Sequence, residues 1–164
     1  MSYMRDHYEA WITLLGKPHP VAEFMLKYGR DYPIGPDTYK GRRKKRKMCY
    51  ENAAKLALNN SKLKYVEGKI ACYGIPIDHA WCVDENGFVV DPTIRDNSDG
   101  HISNYFGVKF YTVYLAAAIS LNDSYGLLDY FYAKRTAPKL YELGLENGQR
   151  WLVGLPLMKA KVLQ

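Results

Sequence analysis

The sequence predicts an α+β protein: helices at the amino end, a helix that opens on a cysteine, a small antiparallel sheet, then further helices. Three observations lead there. Apolar residues recur at helical spacing in three segments between residues 5 and 58. The pattern turns strand-like from Leu63 to Thr93, and helical spacing returns near residue 110. A chain of 164 residues, 48% hydrophobic and 24% charged, can bury a core as one domain spanning 1–164.

Residues 5–15 read as the first helix, because Tyr8, Trp11, Ile12 and Leu15 fall on one face and Gly16 follows. Pro18-His19-Pro20 opens a second, whose Val21, Phe24, Met25 and Tyr28 repeat the stripe until Gly29. Residues 30–41 carry two Pro, two Gly and two Asp and read as irregular loop. A third helix runs from about Met48 to Leu58 and stops at Asn59-Asn60-Ser61. Tyr65-Val66, Lys69 to Tyr73, Ile77 to Val83 and Phe88 to Asp91 read as successive antiparallel strands. Residues 95–104 are polar and read as loop. Helices are expected over 110–121, 125–134 and 137–145, with Trp151 to Met158 a terminal strand or packed tail. The chain thus divides into N-terminal helices and a basic loop (1–47), a core (48–94) and a mainly helical part (95–164).

The net charge of +6 has one source. Arg42, Arg43, Lys44, Lys45, Arg46 and Lys47 are six of the 23 basic residues, and the remaining 17 balance 17 acids. The body is near neutral and carries one basic tract. That tract is either a solvated loop, a contact for nucleic acid or another polyanion, or a rim that attracts acidic substrates. Three cysteines, Cys49, Cys72 and Cys82, make an odd number without metal-ligand spacing, so neither a disulfide framework nor a metal site is expected. The longest apolar stretch, Phe110 to Leu121, is too short for a bilayer and no leader-like apolar core precedes the first helix. A cytoplasmic protein with no membrane partner is the expectation. No phosphate-cradling loop or dinucleotide fingerprint is present, and no organic cofactor is implied.

The residues with chemistry converge on one arrangement. Cys49 opens a helix, where free amides and the helix dipole favour a thiolate. His79 and Asp91 lie on consecutive strands. Two paired antiparallel strands bring them to one face only if the connecting turn at Glu85-Asn86-Gly87 has an odd length. A three-residue loop with Gly87 left-handed pairs Asp91 with Trp81 and sets His79 one diagonal away. A two-residue Asn86-Gly87 turn pairs Asp91 with Cys82 and separates the two. With the odd loop, Cys49, His79 and Asp91 can form a thiol–imidazole–carboxylate triad. Cys82 has the opposite parity to His79 and is expected to point away. Read singly, Cys49 is a helix-stripe residue, His79 a structural histidine and Asp91 a strand terminator.

Cys49-Tyr50-Glu51-Asn52-Ala53, then Tyr65-Val66-Glu67-Gly68, His79-Ala80-Trp81 and Val90-Asp91-Pro92-Thr93 together resemble the core of the transglutaminase-like superfamily, part of the papain-like cysteine fold. The resemblance spans about 45 residues. It implies a nucleophile helix packed on an antiparallel sheet, with Cys49 the nucleophile, His79 the general base and acid, and Asp91 the orienting carboxylate. Many members carry a glycine two residues before the cysteine, where this chain has Lys47. Trp81 is expected to be core or cleft wall, and Trp81 and Tyr50 are the candidate substrate-binding residues. The function implied is cysteine-dependent acyl transfer on a peptide or protein amide, as hydrolysis by a peptidase or amidase rather than cross-linking. Two alternatives stand beside it: an inactive relative that binds through a surface rich in its fifteen tyrosines, and a nucleic-acid- or polyanion-binding protein that acts through residues 42–47.

Overall fold

The computed structural model describes residues 3–16, 20–35, 39, 41, 44–45, 47–94, 100–122 and 125–128. The element order is α1 (Tyr3–Leu15), α2 (Pro20–Tyr28), β1 (Arg30–Tyr32), α3 (Cys49–Asn59), β2 (Lys64–Cys72), β3 (Ile75–Val83), β4 (Val89–Val90), β5 (Ile102–Phe110) and α4 (Thr112–Asn122). The strands form one antiparallel sheet in the order β1-β5-β2-β3-β4. The α+β class therefore holds.

Strand alternation gives the sheet two faces of different character. On the first, Tyr65 and Ala71 of β2, Ala80 and Cys82 of β3, and Phe106, Val108 and Phe110 of β5 pack against the helices. Met4 and Tyr8 of α1, Phe24 and Met25 of α2, Ala53, Ala54 and Ala57 of α3, and Leu115 of α4 complete that core. The alanine stripe of α3 lets its backbone lie close to the sheet, and Cys82 Sγ donates to the Ala53 carbonyl at 3.2 Å. On the second face Val66, Ile70, Trp81, Val83, Val89, Ile102 and Tyr105 pack with Tyr32. Burying apolar surface at about 25 cal/mol per Å² is what holds both layers.

Several expectations need correction. The two strands expected within 65–73 are one, and Gly68 sits at its middle. Gly68 is paired with Gly107 on one side and His79 on the other. A Cβ on Gly68 would strike the Phe106 carbonyl and the Gly107 backbone, so the glycine marks close strand approach and not a break. The second difference is β5: the polar stretch 95–104 and the mainly helical part 95–164 were expected to hold no strand before residue 151. Residues 105–108 are all buried, so both sides of β5 are covered and the strand shows no polar alternation. Third, β1 lies where an irregular loop was expected to begin at residue 30. Its three residues gain strand form from pairing with β5, far along the chain, and Pro33 ends it. The helix expected over 110–121 is α4, which starts two residues later and ends one residue later. Of the helix expected at 125–134, residues 125–128 are not α-helical; the rest, with 137–145 and Trp151 to Met158, lies outside the described residues. Among the described residues no helix is long and apolar enough to cross a membrane.

Candidate active site

The hairpin that joins β3 to β4 decides where the carboxylate goes. Gly87 N donates to the Asp84 carbonyl at 3.0 Å, and Asp84 N donates to the Phe88 carbonyl at 3.0 Å. This is a three-residue loop, Glu85-Asn86-Gly87, with Gly87 at φ +86 in the left-handed region that favours glycine. Asp84 Oδ1 accepts from the amides of Asn86 and Phe88, both at 2.9 Å, and holds the turn. The resulting register, Val83 opposite Val89 and Cys82 opposite Val90, sets Asp91 across from Trp81, on the face of His79.

Asp91 and His79 are each only 4% exposed. His79 Nε2 lies 2.6 Å from Asp91 Oδ2. The Tyr105 hydroxyl donates to the same oxygen at 3.0 Å. Asp91 Oδ1 accepts from the amides of Thr93 at 2.8 Å and Ile94 at 2.9 Å. Four donors thus fix the carboxylate, and the carboxylate fixes the ring, as a buried charge requires. Trp81 lies nearly parallel to the imidazole, with 6.2 Å between ring centres, and meets Tyr105 edge-on at 5.1 Å. Gly107 makes room for it: a Cβ there would come 2.7 Å from the far carbon of the indole.

With Nε2 held by Asp91, the His79 ring is also coupled to the Cys49 thiol, whose thiolate it favours. Helix α3 packs on the first face of the sheet. Its first residue meets β3 beside the two-residue pairing with β4, and the Ala80 and Tyr50 amides also hydrogen-bond the sulfur. Met48 caps the helix without a side-chain bond, and the first intrahelical bond is Asn52 N to the Met48 carbonyl at 2.8 Å. The Cys49 amide precedes that bond and has no acceptor within the helix. Two residues earlier, Lys47 has φ +62, a conformation costly for a residue with a side chain. The left-handed backbone that glycine would supply at this position is present with lysine in its place.

The electrostatics follow from these contacts. Burial pushes the Cys49 thiol up, but the His79 hydrogen bond and charge and the two amides outweigh it and bring the pKa below its usual value. Burial pulls His79 down, yet its bonds to Asp91 and Cys49 raise it to about 9. Both directions favour the thiolate–imidazolium form of one coupled pair. Cys82, by contrast, is driven up by burial and holds its proton.

The structure brings Cys49, His79 and Asp91 together and corrects the expected cleft lining. Trp81 is 0% exposed and cannot touch a substrate. It is a packing residue beneath the imidazole, because its strand parity points it into the second layer. Tyr50 is half-buried and packs against the helical core. Lys44, Lys45 and Lys47 of the basic tract are exposed, while Arg42, Arg43 and Arg46 lie outside the described residues. Among the described residues no group of three His, Cys, Asp or Glu side chains could hold a metal ion.

Two residues that sequence reasoning missed complete the site. Tyr105 lay in a stretch assigned no element. Asn52, 8% exposed, donates to the Lys45 carbonyl at 2.7 Å and the Thr93 hydroxyl at 3.1 Å, tying α3 to the chain on both sides of the triad. Its signal was a polar side chain three residues after Cys49 on a helix that buries alanines. Compared with protein-family models, curated proteins and solved structures, the chain finds no match.

Proposed function

We propose that this chain is a cysteine-dependent acyl-transfer enzyme of transglutaminase-like, papain-like architecture that hydrolyses an amide bond. The observation that carries the reading is His79, bound at Nε2 by Asp91 at 2.6 Å and coupled to the Cys49 thiol at a helix start.

The chemistry follows from these groups. The Cys49 thiolate attacks the carbonyl carbon, forming an S–C bond and moving the carbonyl electrons onto oxygen. The Cys49 amide faces the developing oxyanion as one donor. The His79 imidazolium gives its proton to the departing nitrogen as the C–N bond breaks, leaving a thioester and a neutral imidazole. Water attacks the thioester, His79 takes its proton, and the C–S bond breaks to release a carboxylic acid and restore the thiolate–imidazolium pair. Asp91 holds the ring in the orientation both proton transfers need. The substrate is a peptide or protein amide in a cytoplasmic setting.

The test is competition for iodoacetamide at pH 6, followed by peptide mass spectrometry. Cys49 should alkylate far faster than Cys72 or Cys82, and Cys49→Ala should lose labelling by an electrophilic amide-mimic probe. Equal rates at the three thiols would defeat the reading.

A further inference from the structure

A concavity lies on the sheet face that carries His79, at the end occupied by the β3–β4 turn. Its volume is about 460 Å³, within the range of small-molecule sites. Four cations line it: Arg30 of β1, Lys109 of β5, Lys64 of β2, and Lys62 just before β2. The sheet register explains why they meet. Arg30 is opposite Gly107, two residues from Lys109, and Lys109 is opposite Val66, two residues from Lys64. Alternation turns Arg30, Lys109 and Lys64 to one face of three adjacent strands.

The charges are not balanced there. Asp84 and Glu85 also line the cavity, but Asp84 Oδ1 is engaged by the turn amides and Glu85 is exposed. Among the described residues none of the four cations forms an ion pair with a carboxylate. The Arg30 guanidinium sits 4.8 Å from the Tyr32 ring centre, and Lys64 Nζ donates to the Ser61 carbonyl at 2.9 Å, so two of the four are positioned. Burial, then the charges of Arg30 and Lys64, hold the Lys109 ammonium below its ordinary pKa. Four cations against two carboxylates leave the cavity with an excess of positive charge that an anion would balance.

We propose that this cleft binds a multiply charged small anion of the oligophosphate class, held by Arg30, Lys62, Lys64 and Lys109. A planar guanidinium donates to two phosphate oxygens at once, and the ammonium groups add point charges that suit a chain of phosphates. A volume of this size suits a small molecule. The site is distinct from the tract 42–47, where Lys44 N bonds the Pro92 carbonyl beside the triad.

The experiment is calorimetric titration of the full chain with inorganic tripolyphosphate at low ionic strength. The expected result is one equivalent bound, an affinity that falls steeply with salt, and weaker binding of inorganic phosphate. Lys109→Gln and Lys64→Gln should each weaken tripolyphosphate by about tenfold or more. Lys62→Gln, at an exposed position, should weaken it without risk to folding. Lys44→Gln/Lys45→Gln and Cys49→Ala should bind as the parent does, which separates this site from the basic tract and from the triad. No binding by the parent chain, binding retained in Lys62→Gln and Lys64→Gln, loss on changing Lys44 and Lys45, or tighter capture of short single-stranded DNA than of tripolyphosphate would each overturn the assignment.

Discussion

Two buried carboxylates, one on each face of the sheet, are held by nearly the same set of donors. On the helical face Glu67, 3% exposed, accepts from the Tyr65 hydroxyl at 2.8 Å and from the amides of Leu127 at 2.7 Å and Leu128 at 2.9 Å. On the opposite face Asp91 accepts from the Tyr105 hydroxyl and the amides of Thr93 and Ile94. Each clamp is a tyrosine plus two consecutive backbone N–H groups. The Glu67 clamp fastens residues 125–128 to the sheet. The Asp91 clamp is completed by an imidazole that runs on to a thiol. The same carboxylate chemistry therefore anchors chain in one place and orients a base in the other; the neighbour at the end of the network makes the difference.

That contrast can be broken most sharply by neutralising each carboxylate. Asp91→Asn should lower Cys49 reactivity and any amidase turnover by about 10²-fold or more, because the amide can present the wrong hydrogen-bonding group to the ring. Glu67→Gln should leave Cys49 reactivity close to the parent's yet cost about 1–3 kcal/mol in denaturant unfolding, since a buried clamp is mismatched. Equal effects on reactivity from the two variants would erase the distinction.

The pH dependence sharpens it further. A thiolate–imidazolium pair forms once pH exceeds the lowered thiol pKa and ends when the imidazolium loses its proton. The alkylation rate of Cys49 should therefore rise at a lower pH than that of an ordinary thiol and change again near 9, the raised value of His79. For stability the sign is fixed. A folded pKa of about 9 against an ordinary 6.5 means that His79 contributes fully below about 6.5, and that contribution is lost as pH rises through 9. Asp91→Asn should shift this loss to lower pH, readable from urea midpoints across that range. An unmoved transition would show that Asp91 does not govern the ring.

Smaller effects probe the packing beneath each clamp. Gly107→Ala would press a methyl on the Trp81 indole at 2.7 Å and on the Glu67 carbonyl oxygen at 2.7 Å, costing about 1–3 kcal/mol and disturbing the surface under His79. Lys47→Gly should raise stability by about 0.5–1 kcal/mol, because glycine adopts φ +62 without strain. A destabilised Lys47→Gly in thermal unfolding would mean that the lysine side chain makes a compensating contact.

How far the site was legible depended on the kind of signal. The cysteine at a helix start, the histidine on a strand and the aspartate before Pro92 are local patterns, and the loop parity between them is an arithmetic consequence of strand geometry. Tyr105 was not legible, because its strand is defined by partners far away in the chain. Trp81 was placed in the wrong setting because parity tells which face a side chain takes, not what covers that face. Gly68 looked like punctuation and is a point of strand contact, since a missing side chain reads alike in a turn and in a tight sheet.

The sequence by itself determined the helices of the amino half and the strand period from 63 to 93, and it made the common face of His79 and Asp91 depend on whether the turn at Gly87 has an odd length, which the structure decided. These follow from backbone periods and steric preferences that act within a few residues. Only the tertiary structure decided that α3 meets β3 with Cys49 at His79, that Tyr105 joins Asp91, and that Arg30, Lys64 and Lys109 line one cleft. Those outcomes depend on which strands become neighbours, and that is set by burying both faces of one sheet at once.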